Sequence, residues 1–346
     1  MSVFRRKLIC RILAKKKIPI WDGTSLTPML DIDGYYIIDS GATLKGFIAL
    51  LINKKRGKII NDFALNDDYD NYSSWDTSPP PNLWNPTYTK NSAYLPAEIN
   101  GQGHTIYGLY GNIPLFPWLN YDVSSTFSVH DLRLKCAYRP SVNFSWVSGF
   151  LFYSNMQFTS LKSLYNIEIH GIARALSGSI FATVGLGGQI GNGATGANVH
   201  SILVNATMTG SQYYPSGCGL EPTGTSSSSI KNMGFIGTCT TVTGGGYYAA
   251  GIISGYDGRT VNIDNAWTSS IVYGGWGSKV LSYNKGTITN GYYDSTIKLP
   301  ATVAQGTAKT TDEIKSQAFV DLLNANLPAG CTPWKLGLDG YPTLDF

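Results

Sequence analysis

Short runs of alternating apolar and polar residues recur along the middle of the chain, and one Asn, Asp or Ser interrupts each run. Two copies are residues 129–134 (Val-His-Asp-Leu-Arg-Leu) and 164–169 (Leu-Tyr-Asn-Ile-Glu-Ile). The interrupting residues of the six copies are Asp131, Asn166, Ser201, Asn232, Asn265 and Asn290. Their spacings of 35, 35, 31, 33 and 25 residues indicate repeated units, each made of a few short strands.

A single unit of this kind cannot bury its own apolar face, so the units must stack. Stacking at the strand spacing of about 4.8 Å buries a continuous core and pairs each backbone with the one above it. We therefore predict an all-β protein, a parallel β-helix of about six or seven coils. The six small polar residues would form a ladder at one corner of the coils. A β-sandwich is the alternative, but its strands recur every 8–12 residues, roughly three times as often.

Segments with a helical period flank the repeats. Residues 42–53 place apolar side chains at helical spacing behind Thr43, a candidate N-cap. A second helix is predicted from Thr310, because Asp312 and Glu313 fall in its first turn. Since the ends of a stack expose its core, we expect a short helical cap at each end. The expected organisation is a basic arm (1–20), an N-terminal cap with a helix and a long loop (21–95), the coils (96–300), and a C-terminal helix with a closing segment (301–346).

Two segments resemble a known family of β-helix proteins. Residues 99–109 (Ile-Asn-Gly-Gln-Gly-His-Thr-Ile-Tyr-Gly-Leu) and 339–344 (Asp-Gly-Tyr-Pro-Thr-Leu) resemble the opening and closing motifs of the GLUG-motif proteins. Residues 250–253 and 260–265 resemble the inner motif, with a longer turn between them. This family occurs in bacterial surface adhesins and in phage tail and spike proteins. The resemblance implies a right-handed parallel β-helix used for attachment or scaffolding, and it brings no catalytic residues with it.

Charge is sparse and unevenly placed. Only 14% of the 346 residues are charged, and the formal net charge is +4. Residues 1–18 carry seven basic residues and no acid, whereas the rest of the chain has 19 basic against 22 acidic residues. We expect this arm to anchor the chain to a neighbouring virion protein, with a nucleic acid, a membrane surface or plain solvent as alternatives. The predicted anchor residues are Arg5, Arg6, Lys7, Arg11, Lys15, Lys16 and Lys17.

The sequence predicts no cofactor and no metal site. The five cysteines lack a C-x-x-C pair, and the four histidines are widely spaced. Cleavage of a polysaccharide would need two carboxylates about 5–10 Å apart. The candidate acids are Asp67, Asp68, Asp70, Asp131, Glu168 and Asp257. In the predicted stack Glu168 lies between Arg133 and Leu203, which indicates an ion pair instead. The acidic run 67–70 lacks EF-hand spacing, so we expect a solvated loop there.

These features favour attachment over catalysis. Low charge and 22 tyrosines suit contact with sugars, although many of these rings are also expected to fill the core. Charged residues interrupt every apolar stretch of the arm, so no secretory signal is predicted. We therefore expect a phage virion protein of the tail-spike, tail-fibre or head-fibre type. It would be assembled in the host cytoplasm, anchored by its N-terminus, and bind a host-surface polysaccharide or protein receptor.

The remaining expectations concern assembly and alternatives. A homo-oligomer, specifically a trimer, is expected for a spike of this kind. No run approaches 18 apolar residues, so no membrane span is predicted. A bacterial adhesin at the cell surface, and a polysaccharide depolymerase built on a β-helix, are the alternative functions.

Overall fold

The computed structural model describes most of the chain from Ile18 onwards. The described ranges are 18–50, 55–75, 77–86, 97–119, 127–138, 147–154, 157–158, 161–174, 182–183, 185–186, 189–190, 198–211, 215–219, 221–222, 228–241, 248–254, 260–283 and 285–346. Within them lie three α-helices, α1 (Gly41–Ala49), α2 (Thr311–Ile314) and α3 (Gln317–Ala325), and one 3-10 turn (Tyr72–Ser74).

Most of the described chain is extended. The first twelve strands are β1 (Tyr35–Ile38), β2 (Arg56–Ile59), β3 (Phe63–Ala64), β4 (Glu98–Asn100), β5 (Thr105–Gly111), β6 (Phe116–Leu119), β7 (Phe127–Tyr138), β8 (Val147–Ser148), β9 (Phe152–Ser154), β10 (Gln157–Phe158), β11 (Leu161–Arg174) and β12 (Ala182–Thr183). The others are β13 (Gln189–Ile190), β14 (Asn198–Ser211), β15 (Glu221–Pro222), β16 (Ser228–Thr241), β17 (Tyr248–Ala250), β18 (Val261–Tyr273), β19 (Gly277–Lys279), β20 (Ile288–Asp294), β21 (Thr302–Val303), β22 (Thr307–Lys309), β23 (Trp334–Leu336) and β24 (Pro342–Leu344).

The longest strands form one twelve-stranded sheet. Its order is β1-β2-β4-β7-β11-β14-β16-β18-β20-β22, with β3 and β5 beside this row. Every neighbouring pair in the row is parallel. Between two parallel neighbours the chain must cross back to the end at which the preceding strand began. Those connections carry the smaller sheets β10-β13-β15 and β17-β19-β21 and a four-stranded sheet β12-β8-β9-β6. The chain is therefore a parallel β-helix, which confirms the predicted fold class.

Equivalent apolar residues of successive coils form the core. The column Val129, Leu164, Val199, Ile230 and Ile263 is in register along five strands, and each side chain is at most 4% exposed. Full burial of such a side chain contributes about 1.5–3 kcal/mol. The coils therefore stabilise one another by stacking, as the repeat predicts.

The parallel sheet extends beyond both expected boundaries of the coils. It begins at β1, well before residue 96, and its last strand β22 lies after residue 300. Helix α1 covers the first coil, where the Phe47 ring approaches Gly57 of β2. The N-cap of α1 is Ser40, so the expectation of Thr43 was wrong. Thr43 is the third helical residue, and its side chain accepts a hydrogen bond from the Ser40 backbone N–H at 3.0 Å.

The C-terminal region differs from the single helical cap expected at the end of the stack. It contains two helices. Thr310 is the N-cap of α2, as expected, but that helix ends at Ile314, and Ser316 is the N-cap of the separate helix α3. These helices and the antiparallel pair β23–β24 pack against the outer face of the main sheet. Phe319 and Trp334 both contact Trp267 of β18 there, with ring centroids 6.1 and 5.8 Å away. We call residues 310–346 the C-terminal strap, since they run along the side of the stack.

Candidate functional site

The six predicted ladder residues all sit at one corner of the coils. Their φ angles are 55° at Asp131, 53° at Asn166, 55° at Ser201, 56° at Asn232, 57° at Asn265 and 51° at Asn290. Asn and Asp enter this left-handed region more readily than most residues, because their short side chains bond locally. A single left-handed residue turns the chain between two strand segments. That requirement explains why a small polar residue interrupts every repeat.

Hydrogen bonds join neighbouring corners. The side-chain amide of Asn166 donates to Asp131 Oδ1 at 2.6 Å, and that of Asn265 donates to Asn232 Oδ1 at 2.8 Å. Asn232 donates to Ser201 Oγ at 3.3 Å. The last corner differs, because Asn290 donates to Asp264, the residue beside the preceding corner.

The C-terminal strap supplies further hydrogen-bond partners to the ladder. The Thr332 backbone N–H donates to Ser201 Oγ at 2.8 Å, and the Trp334 indole donates to Asn232 Oδ1 at 2.6 Å. Asn265 donates to the Leu323 carbonyl at 3.1 Å. Ser201, Asn232 and Asn265 are fully buried. These corners therefore face the protein's own chain.

Two groups of predicted residues fall outside the described ranges. They are the anchor residues Arg5, Arg6, Lys7, Arg11, Lys15, Lys16 and Lys17, and the candidate acid Asp257.

The candidate acid Glu168 forms an ion-paired cluster under the strap. It is in register with Arg133 and Leu203, the two neighbours expected from the repeat. Its carboxylate lies 3.4 Å from Arg133 Nε and 2.7 Å from His170 Nε2. Burial opposes ionisation of Glu168, but the His170 hydrogen bond and the Arg133 charge outweigh it and lower its pKa. Glu168 is thus an ionised partner of Arg133.

A second polar cluster surrounds His130 on the outer face of the sheet. His130 Nε2 lies 3.1 Å from Glu98 Oε1, and Nδ1 lies 2.8 Å from Asp131 Oδ2. Burial disfavours the charged imidazole, yet the hydrogen bonds to both carboxylates prevail and raise the pKa of His130. An open cavity of about 540 Å³ adjoins this cluster. Both carboxylates are taken up by ion pairs and hydrogen bonds within the protein, so neither is poised as a general acid.

Rings stack above His130 along the same face. The His130 and Tyr165 rings are 4.8 Å apart and nearly parallel, and Tyr165 stacks on His200 at 5.2 Å. Sequence reasoning missed this column. The available signal was that all three residues directly precede a ladder residue, so their strands place them one above another.

An open cavity of about 610 Å³ lies beside the first coils. We call it the acidic groove. Asp62, Asp67 and Asp70 line it together with Tyr69, Tyr107, His104 and Lys135. The Tyr69 and Tyr107 ring centroids are 4.6 Å apart. Sequence reasoning considered the run 67–70 but did not join it to Tyr107 and Lys135.

Local backbone requirements hold this groove together. Gly108 has a φ of 69°, and a Cβ there would lie 2.8 Å from the Asn66 carbonyl oxygen. Because Gly108 lacks a side chain, the loop after Asn66 can lie directly on β5. The Asn66 amide then donates to the carbonyls of Gly108 at 3.0 Å and Asn82 at 2.7 Å. The loop that carries Asp67, Tyr69 and Asp70 is therefore fixed at its first residue.

Two of the three carboxylates in the acidic groove are paired. Asp62 lies 3.0 Å from His104 Nδ1, and Asp70 lies 2.9 Å from Lys135 Nζ. Asp67 is exposed, and one of its oxygens accepts the Asp68 backbone N–H. Among the described residues, no three His, Cys, Asp or Glu side chains converge as metal ligands. The groove thus offers aromatic faces and hydrogen-bond acceptors to a polar ligand.

Comparisons with known proteins add one structural likeness. No family model matches the chain, and no curated protein matches it. The fold resembles a crystal structure from Bacteroides ovatus described as a candidate immunoglobulin A1 protease. The TM-score is 0.57 at 14% identity, over 91% of this chain and 93% of the other. The likeness is one of fold alone.

The contact between Ser201 and His200 does not form a hydrolytic pair. Ser201 Oγ lies 2.9 Å from His200 Nδ1, but it is fully buried and also accepts hydrogen bonds from Thr332 and Asn232. A substrate carbonyl has no access to it.

No helix in the described ranges has the length and apolar character that a membrane crossing requires.

Proposed function

We propose that this protein is a phage virion component that attaches to the host surface and binds a glycan in the acidic groove. The observation that carries the proposal is the pairing of two tyrosine rings with three carboxylates in one open cavity. A saccharide presents apolar C–H faces and a rim of hydroxyl groups. The rings suit the former, and ionised carboxylates form strong hydrogen bonds with the latter.

Two further features support attachment. The side chains of the groove are held by stacked strands and by the pinned loop after Asn66, so binding a glycan would order little of the protein. The resemblance of residues 99–109 to GLUG-motif proteins also favours this use, because those residues cover most of β4 and β5 and include the groove residues His104 and Tyr107. We assign the basic arm to the contact with neighbouring virion proteins and expect a homotrimer. A bacterial surface adhesin is the alternative setting for the same chemistry.

The glycan proposal is tested on a glycan array, followed by titration calorimetry with the strongest ligand. Asp67→Asn removes the charge of the unpaired carboxylate and should weaken binding about tenfold, or 1.4 kcal/mol. Asp33→Asn is the matched control, because Asp33 is an exposed acid that does not line the groove. Equal affinity in both variants, or no bound glycan on the array, would refute the proposal.

The virion assignment is tested by deleting residues 1–17 in the phage genome. The truncated protein should fold, because the deletion leaves in place the buried core cluster formed from Trp21 onwards, but it should be missing from purified particles. Normal incorporation of the truncated protein would show that the arm is not the anchor.

A further inference from the structure

Three aromatic rings, the exposed Trp276 and the half-buried Tyr248 and Tyr283, form a surface patch beside the last coils, which we call the ring platform. Tyr248 and Tyr283 stack with centroids 3.9 Å apart, and the Trp276 ring meets Tyr248 edge-on at 6.1 Å. Lys279 Nζ lies 4.4 Å from the centre of the Tyr283 ring. Trp276 remains 63% exposed although its edge packs against Tyr248. Large apolar side chains presented together in this way mark interaction sites.

The backbone beneath the platform is paired into a sheet and lies close to the rings. Tyr248 of β17 pairs with Gly277 of β19, and β19 pairs with β21. A Cβ at Gly277 would lie 3.2 Å from the Tyr283 hydroxyl, so glycine leaves room for the rings to lie over the strand. The platform is thus preorganised, which reduces the entropy lost when a ligand binds.

The ring platform is separate from the acidic groove. Lys135 of the groove lies on β7, whereas the platform lies on the coils that contain β16 and β18. Three to four strand spacings separate those coils, or roughly 14–19 Å along the stack. The charges also differ, since the groove has three carboxylates beside Lys135, whereas the charged side chain described at the platform is Lys279.

We propose that the ring platform is a second saccharide-binding surface, which stacks the C–H face of a neutral or anionic sugar on Trp276. Flat rings match the C–H face of a pyranose, and the Lys279 ammonium donates hydrogen bonds to hydroxyl or carboxylate oxygens beside it. This inference extends the proposed function to a glycan polymer that contacts two separate places on one rigid stack. Simultaneous contact raises the avidity for a polymer above that for either short fragment.

The test uses two short probes, chitotetraose for a neutral sugar and tetragalacturonate for an anionic one. Indole quenching that is lost in Trp276→Phe reports on the platform, and the other tryptophans whose exposure is described are at most 6% exposed. They are Trp21, Trp75, Trp84, Trp267 and Trp334. We expect saturable quenching with at least one probe. Trp276→Ala should raise the calorimetric Kd about tenfold, and Trp276→Phe should retain most of the affinity because it keeps a ring.

Two controls separate this proposal from that of the acidic groove. Leu338→Ala removes another exposed apolar side chain, in the strap, and should leave the Kd unchanged. Weaker binding in Trp276→Ala with unchanged binding in Asp67→Asn supports the platform for that probe, and the reverse pattern overturns it. Absence of binding by the wild-type protein to both probes at about 10 mM would also overturn it.

Discussion

Replacing Trp334 with alanine tests whether the C-terminal strap is an integral part of the β-helix. Trp334 is 2% exposed and packs on the Trp267 ring of β18. Its indole N–H donates to Asn232 Oδ1 in the corner ladder at 2.6 Å. Its backbone N–H donates to Asn324 Oδ1 at 2.8 Å, and that bond survives any substitution except proline. The variant therefore removes the packing and the ladder contact together.

The expected loss can be divided into two parts. Truncating a buried tryptophan to alanine costs about 3–5 kcal/mol, because the apolar contacts are lost and a cavity remains. The lost hydrogen bond accounts for about 1 kcal/mol of this total. The loss of this hydrogen bond costs no more than that because Asn232 Oδ1 still accepts a hydrogen bond from Asn265 and is not left without a partner. Trp334→Phe keeps most of the ring and removes the donor, so it should cost about 1–2 kcal/mol.

The assay is urea unfolding of the full chain, followed by circular dichroism and tryptophan fluorescence. Lys335→Ala is the control, because Lys335 is exposed and its ion pair with Asp345 is worth at most about 1 kcal/mol. We expect the three variants to rank Trp334→Ala, Trp334→Phe, Lys335→Ala in decreasing destabilisation. A loss below about 1 kcal/mol in Trp334→Ala, typical of a surface substitution, would refute the integral role of the strap.

Two further predictions concern the corner ladder and the polar cluster around His130. Asn166→Ala should destabilise the fold by about 1–3 kcal/mol, because alanine is strained at the left-handed φ and the hydrogen bond to Asp131 is lost. Asn166→Gly should cost less, because glycine adopts that φ without strain. A larger loss of stability for the glycine variant in urea unfolding would contradict this. The raised pKa of His130 predicts stability that is fully present below the unfolded pKa of about 6.5 and is lost as pH rises through the higher folded pKa. The free energy of unfolding, measured between pH 6 and pH 9, should fall in the wild type and fall less in His130→Gln. An equal dependence on pH in both proteins would exclude the effect.

The periodic parts of the fold were predictable because they repeat a local requirement. One left-handed corner per coil selects Asn, Asp or Ser, and the spacing of those corners fixes the register of Glu168 with Arg133 and Leu203. The acidic groove has no such period. Asp62, Asp67 and Asp70 precede the regular repeats, and they meet Tyr107 and Lys135 only through the coil geometry and the close approach at Gly108. No local pattern could place these side chains together.

The strap also explains why one outer column of the sheet is apolar although it points away from the core. Leu203, Gly234, Trp267 and Tyr292 follow one another in register on the outer face. Gly234 leaves room for the Trp267 indole, because a Cβ there would lie 2.8 Å from that ring. If it were exposed, such an apolar column would promote association with other protein chains. The strap buries this column within the same chain, whereas the acidic groove and the ring platform lie elsewhere on the stack.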